Sequence, residues 1–194
     1  GVTVGVVDSN FDVNNIEFRD SNGKSRITKD SNYAGSTNIH GSLVSELIGG
    51  KTIGVAPGVK IKGEAAGTVC SDGSNNCIVV QRGMYDNLYN NGVRIYNQSF
   101  GVASRTIKTA SKSSMPLSDP VISFYRDKAS TDSLFIWAAG NSGKDEVSAE
   151  AGLPYFYPEM QKGWLAVMAV DSTDGTPSYY SNKCGIAQNW CLAA

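Results

Sequence analysis

Three polar residues end or begin apolar segments of this chain, and together they could supply most of an acyl-transfer site. Asp8 follows the apolar run that starts at Val2, and Asn141 follows Trp137-Ala138-Ala139-Gly140. His40 is the one histidine among the 194 residues, and it begins an apolar helical pattern. Imidazole is the side chain that most often moves protons near neutral pH. Any histidine-based chemistry in this sequence therefore depends on His40.

Each of the three residues has a chemical role that its neighbours favour and an ordinary structural role beside it. A histidine base needs an acceptor on its second ring nitrogen, and Asp8 is the best candidate for that acceptor. The amide of Asn141 could donate a hydrogen bond to a developing oxyanion. As alternatives, Asp8 could be a turn former, His40 a capping or core histidine, and Asn141 a loop residue between glycines.

The elements that must position these residues alternate between strand and helix patterns. Apolar runs predict five buried parallel strands, and periodic patterns between them predict three helices. The strands are Val2–Val7, Val59–Ala65, Val93–Gln98, Leu134–Ala139 and Trp164–Val170; the helices are His40–Ile48, Ile78–Asn91 and Val121–Ala129. This order predicts an α/β fold in which helices cover both faces of a parallel sheet. Asp8, Asn97–Ser99 and Asn141 then fall at the carboxyl ends of strands, where the sites of such sheets lie.

Composition excludes several classes of partner. The formal net charge is −1, the pI is about 5.8, and charged residues make up 18% of the chain without forming runs. This distribution gives no basic surface for nucleic acid or for an anionic membrane. The longest apolar stretches have the length of strands, so no membrane span is expected. The length of residues 1–194 suits one domain or a large part of one, and the sequence shows no internal repeat or linker.

The four cysteines are spaced as two similar local pairs. Cys70 and Cys77 enclose six residues, and so do Cys184 and Cys191. Neither pair has the spacing of a zinc site. Four cysteines allow three disulfide connectivities, of which the two local pairings are favoured because each closes a short polar loop. The alternative is four free thiols in a cytosolic protein, whereas disulfides favour an exported one.

Five segments, in this order, resemble the blocks of the subtilisin-like (subtilase) serine proteases. They are Val6-Val7-Asp8-Ser9, His40-Gly41-Ser42-Leu43-Val44, Gly54-Val55-Ala56-Pro57-Gly58, Ile95-Tyr96-Asn97-Gln98-Ser99-Phe100-Gly101 and Ala138-Ala139-Gly140-Asn141. Asn10 stands where the family's aspartate block has glycine, and Ser42 and Leu43 replace the family's threonine and second histidine. The resemblance spans nearly the whole chain and implies a subtilisin-like fold that is incomplete at both ends.

The resemblance implies a serine endopeptidase that works through an acyl-enzyme. His40 would take the proton of a serine, Asp8 would orient His40, and Asn141 would help to bind the oxyanion. The cleft beside an extended polypeptide substrate would be lined by Ser99, Phe100, Gly101, Ala138, Ala139 and Gly140.

The resemblance also implies what this chain lacks. The family's Gly-Thr-Ser nucleophile block is expected after Cys191–Ala194, so the serine would come from a C-terminal segment and the fragment itself would be inactive. The stretch from His40 to Gly54 is too short for the calcium loop of many members, so we expect neither a metal nor a cofactor. The cysteine-bounded loops resemble those of exported subtilases of bacterial autotransporters, which implies an extracellular or cell-surface location.

Two other functions remain open from the sequence. A protease-like domain could serve as a non-catalytic binding or adhesion module of a surface protein, if no serine block follows. Ser99 could itself be the nucleophile, although its block matches the substrate strand.

Overall fold

A computed structural model of the chain describes residues 1–31, 36–74, 76–103 and 105–194. These residues form two compact units, Gly1–Asn97 and Gln98–Ala194. The strands are β1 Thr3–Asp8, β2 Ile27–Ser31, β3 Lys60–Ala65, β4 Gly67–Thr68, β5 Cys77–Ile78, β6 Ile95–Gln98, β7 Leu134–Ala138, β8 Trp164–Met168 and β9 Cys191–Ala193. The α-helices are α1 His40–Gly49, α2 Arg82–Asn90 and α3 Pro120–Ala129.

The first unit is a parallel sheet in which β1 lies between β3 and β6, with β2 beside β3. One face packs on α1, where Val44 and Ile48 contact a cluster that includes Val4 and Val6. The intervening Gly5 points the other way, towards Leu88 of α2. Helices therefore cover both faces of this sheet, because successive residues of a strand point to opposite sides. The predicted α/β class is confirmed.

The second unit is also parallel, with β8 between β7 and β9. Its core is aromatic: the ring of Tyr125 in α3 lies 5.2 Å from Phe135, 5.5 Å from Trp137 and 5.7 Å from Trp164, measured between centroids. Edge-to-face contacts of this kind add to the apolar area that the rings bury. The core fixes β7, the strand that leads to Asn141.

The apolar runs predicted five of the observed strands, β1, β3, β6, β7 and β8, each within two residues of its observed ends, but they missed the others. β2, β9 and the hairpin of β4 with β5 were not predicted. β2 carries Lys29 and Asp30, and β9 has only three residues, so neither forms an apolar run. β2 forms by pairing with β3 and β9 by pairing with β8, rather than through an apolar pattern of their own.

The second helix begins later than the sequence predicts. Its predicted start, Ile78, lies in β5 and pairs with Gly67 of β4, and the amide of Val79 donates to the Ala66 carbonyl at 2.9 Å. The helix therefore starts at Arg82 and ends as predicted at Asn91-Gly92, where the Gly92 amide donates to Tyr89.

The structure joins the cysteines as the two favoured local pairs. Cys70 bonds to Cys77 and Cys184 to Cys191, with Cα atoms 5.2 and 5.7 Å apart. The first bond closes the hairpin ahead of α2, and the second leads into β9.

Both disulfides can be tested by peptide mapping without reduction. We expect one disulfide-bonded species for Cys70 with Cys77 and one for Cys184 with Cys191, because these are the pairs that the structure joins. Each ring stabilises the fold by roughly 2.5 kcal/mol, since it lowers the conformational entropy of the unfolded chain. Reduced and alkylated protein is the control. A peptide that joins Cys70 or Cys77 to Cys184 or Cys191 contradicts the pairing, and free thiols throughout would remove the argument for export.

Candidate active site

Asp8 is the last residue of β1, and its carboxyl is almost fully buried. The residue is 1% exposed. Its Oδ1 accepts a hydrogen bond from the amide of Ser9 at 2.6 Å, whereas Oδ2 has no hydrogen-bond partner among the described residues. A buried carboxylate needs compensating donors, because removing it from water is costly. One strong donor comes from α1.

That donor is the imidazole of His40, the first residue of α1. Its Nδ1 lies 2.9 Å from Asp8 Oδ1. An ionised carboxylate only accepts hydrogen bonds, so Nδ1 carries the proton and the neutral ring keeps a free lone pair on Nε2. The His40 side chain is 48% exposed, compared with 2% for Asp8. The pair therefore holds the imidazole in one tautomer while leaving it accessible.

Backbone hydrogen bonds tie the loop after β1 to the first turn of α1. The His40 amide donates to Asn38 Oδ1 at 2.9 Å, and the Gly41 amide donates to Ser9 Oγ at 3.3 Å. In the opposite direction, the amide of Asp12 donates to Ser42 Oγ at 2.7 Å. These bonds satisfy free amides of the helix start and fix the imidazole relative to the carboxylate.

Asn10 stands where the family's aspartate block has glycine, and it has a structural role of its own. Its Nδ2 donates to the Ser36 carbonyl at 2.9 Å, and its Oδ1 accepts from the Phe11 amide at 2.8 Å and from Lys29 Nζ at 2.9 Å. The asparagine thus anchors the turn after β1 to two other segments.

The hydrogen bond to Asp8 raises the pKa of His40 above its ordinary value of 6.5. Partial burial opposes this shift, and the charge of Asp8 adds to it. Protonation of His40 is therefore favoured in the folded protein. The resulting contribution to stability is complete below pH 6.5 and is lost as the pH rises through the folded-state pKa.

In the second unit, the segment after β7 forms a loop that is held by Asn182. The carbonyl of Gly140 accepts from the Asn182 amide at 2.8 Å, and Asn182 Oδ1 accepts from the amides of Ser142 and Lys144, each at 3.1 Å. Gly140 has φ +116°, and a Cβ there would lie 2.5 Å from Asn182 Nδ2. The position therefore requires glycine.

Asn141 lies exposed on this loop, and its side chain makes no hydrogen bond with the described residues. The backbone of Ala139, two residues before Asn141, is held by two hydrogen bonds. The Ala139 amide donates to the Val167 carbonyl at 2.8 Å, and the Ala139 carbonyl accepts from the Ser148 amide at 2.7 Å. A held backbone with a free terminal amide can serve an external acceptor.

The predicted cleft segment Ser99, Phe100 and Gly101 begins the second unit. The ring of Phe100 contacts Trp137 of β7 edge-on, with centroids 5.5 Å apart. Gly101 is exposed and lies beside Ser148 and Glu150.

Asn182, which holds the loop after β7, could not be predicted from the sequence. It lies between Ser181 and Lys183 in a polar stretch, which carries no signal of spacing or periodicity. The positioning roles of Ser9 and Ser42 could not be predicted, because their hydrogen bonds join segments about 30 residues apart in sequence. The local bond that Asn38 accepts from the His40 amide was not predicted either.

A parallel α/β fold with an aspartate–histidine pair at the carboxyl end of a strand is the framework of one class of serine protease. The chain belongs to that class, since the model of the subtilase family (Peptidase_S8) matches residues 1–194. It is therefore a serine protease domain by family.

Individual relatives agree with this assignment. The chain is 29% identical over 198 residues to the Neisserial autotransporter lipoprotein NalP of Neisseria meningitidis, a match that covers 80% of this chain and 18% of NalP. It is 36% identical over 76 residues to serotype-specific antigen 1 of Mannheimia haemolytica, covering 39% of this chain and 8% of that protein. The structure of the prenylagaramide maturation protease PagA superimposes with a TM-score of 0.68 at 23% identity, over 100% of this chain and 62% of PagA. The matched part of this chain thus corresponds to less than a fifth of the length of each of these two curated relatives.

The single histidine allows a direct measurement of the Asp8–His40 pair. We expect NMR titration to give His40 a pKa above 6.5, because the hydrogen bond to Asp8 favours the protonated ring. Asp8→Asn should lower that pKa, whereas Asp12→Asn, which changes an exposed carboxylate of the same loop, should leave it unchanged. An equal pKa in the wild type and in Asp8→Asn would show that the two side chains are not paired in solution.

Proposed function

We propose that this chain is the part of a serine endopeptidase that supplies the base, its orienting acid and an oxyanion donor. The observation that carries the proposal is the 2.9 Å contact between His40 Nδ1 and the buried Asp8. Nε2 of a neutral His40 would accept the proton of a serine hydroxyl and later return it to the leaving amine. Asp8 would keep the tautomer correct and stabilise the imidazolium.

In this proposal the nucleophile is a serine that lies C-terminal to Ala194 in the full-length protein, as the family's Gly-Thr-Ser block implies. Its hydroxyl oxygen attacks the scissile carbonyl, the amide bond breaks, and water then hydrolyses the resulting ester. Residues 1–194 alone would then bind the substrate and position the base and the oxyanion donor, but they would not form an acyl-enzyme. As part of this proposal, we assign residues 1–194 to a single catalytic-domain fragment.

The oxyanion of the tetrahedral intermediate would be bound by Asn141. Its exposed amide is carried on a loop that Asn182 fixes, so little reorganisation is needed as charge develops on the carbonyl oxygen. One such donor contributes about 2.7–4 kcal/mol to the stability of the transition state.

The substrate would be an extended polypeptide. Its backbone would pair with Ser99, Phe100 and Gly101 on one side and with Ala138, Ala139 and Gly140 on the other, in the manner of an added strand. Gly101 is exposed on this path and carries no side chain.

We further propose an extracellular or bacterial cell-surface location. NalP is named as an autotransporter lipoprotein and the Mannheimia relative as an antigen, and the two disulfides favour an oxidising compartment. The described residues contain no helix that is long and apolar enough to cross a membrane.

A fluorophosphonate probe tests this function on the full-length protein. We expect one serine, C-terminal to Ala194, to be labelled, because only an activated hydroxyl displaces the fluoride. His40→Ala should abolish labelling, since it removes the base.

The other outcomes separate the competing functions. Absence of labelling in folded full-length protein would support a non-catalytic binding or adhesion module. Labelling of Ser99 would move the nucleophile into the present chain and contradict the proposed site.

A further inference from the structure

Glu150 is a carboxylate of the second unit that the proposed catalytic machinery does not use. Its Oε2 is buried and has no hydrogen-bond partner among the described residues. Burial raises the pKa of Glu150, and nearby amide and hydroxyl groups and Arg105 only partly offset that effect. An unpartnered buried oxygen is costly, so Oε2 of Glu150 is a candidate to accept a hydrogen bond from a bound ligand.

The position of Glu150 connects it to both predicted walls of the substrate cleft. A Cβ on Gly101 would lie 3.2 Å from Glu150 Oε2 and 3.5 Å from Ser148 Oγ. The amide of Ser148 donates to the Ala139 carbonyl at 2.7 Å. Ser148 and Glu150 therefore lie where the segment Ser99–Gly101 meets the segment Ala138–Gly140.

Within the described residues, Arg105 acts on Glu150 through its charge but forms no salt bridge with it. The neighbouring Arg105 uses its guanidinium Nη2 to donate to Ser114 Oγ at 2.7 Å. The contrast with Glu146 is informative, since that carboxylate is paired with Lys108 and also accepts from the Ile186 amide at 2.8 Å. Glu150 has donors near it as well, the amides of Glu150 and Val102 and the Ser148 hydroxyl, but its Oε2 accepts no hydrogen bond from the described residues.

We propose that Glu150 is a specificity residue that selects a lysine or arginine side chain of the substrate at the cleft between Ser99–Gly101 and Ala138–Gly140. This inference rests on the proposed endopeptidase function. Only part of Glu150 is exposed, so a cationic group that reaches it leaves bulk water, where an opposite charge attracts it more strongly. A side chain at position 101 would crowd Glu150 Oε2, and the glycine there avoids this.

The first test compares cleavage by the full-length protein of matched peptides with arginine, lysine or leucine before the scissile bond. We expect kcat/KM to favour the basic peptides. Glu150→Gln should reduce that preference about a hundredfold, since it removes the charge at nearly constant shape. Glu159→Gln, which neutralises an exposed carboxylate of the same unit, is the control and should leave the preference unchanged.

The second test measures binding without turnover, which separates this inference from the proposed function. Full-length His40→Ala protein, with and without Glu150→Gln, is titrated with the same intact peptides. Tighter binding of the basic peptides that disappears in Glu150→Gln supports the inference, even if the wild-type protein cleaves nothing and the proposed function fails. Equal discrimination in the two proteins, or a wild-type preference for leucine, would overturn it. Equal melting temperatures show that Glu150→Gln leaves the fold intact.

Discussion

The hydrogen bond between the buried carboxylate of Asp8 and the half-exposed imidazole of His40 is the interaction on which this site depends. It needs a strand that ends at Asp8 and a helix that begins at His40, 32 residues further along the chain. Parallel pairing of β1 with β3 and β6 fixes the strand. The helix start is fixed by the hydrogen bonds that Ser9 Oγ accepts from the Gly41 amide and Ser42 Oγ accepts from the Asp12 amide. The fold thus holds the imidazole of His40 in a fixed orientation against Asp8.

Polar groups of the second unit fall into two kinds, and the difference carries functional meaning. Asn182 and Glu146 have several partners each, and they hold the loop after β7 and the start of the segment Gly185–Ala187. Asn141 and Glu150 retain hydrogen-bonding capacity that no described residue uses. Groups of the first kind support the backbone, whereas we propose that Asn141 and Glu150 of the second kind bind the substrate.

Much of this organisation could be predicted from the sequence, because buried parallel strands consist of consecutive apolar residues. The same runs placed Asp8 and Asn141 at strand ends, and a single histidine left no choice of base. β9 and the hairpin before α2 could not be predicted in this way, since a neighbouring strand or a disulfide holds them. Asn182 and Glu150 could not be found either, because their importance comes from contacts between distant segments. The catalytic roles of Asp8, His40 and Asn141 stay predictions.

The most direct test of the account is the turnover number of the full-length protein carrying Asp8→Asn, measured on a peptide substrate beside Asp12→Asn. The account predicts a loss of about ten-thousandfold for Asp8→Asn, the scale at which a Ser-His-Asp triad suffers when its histidine adopts the wrong tautomer. Asp12→Asn, in the same loop but exposed, should keep the wild-type rate. A turnover number of Asp8→Asn within threefold of the wild type would contradict the central claim that Asp8 orients the catalytic base.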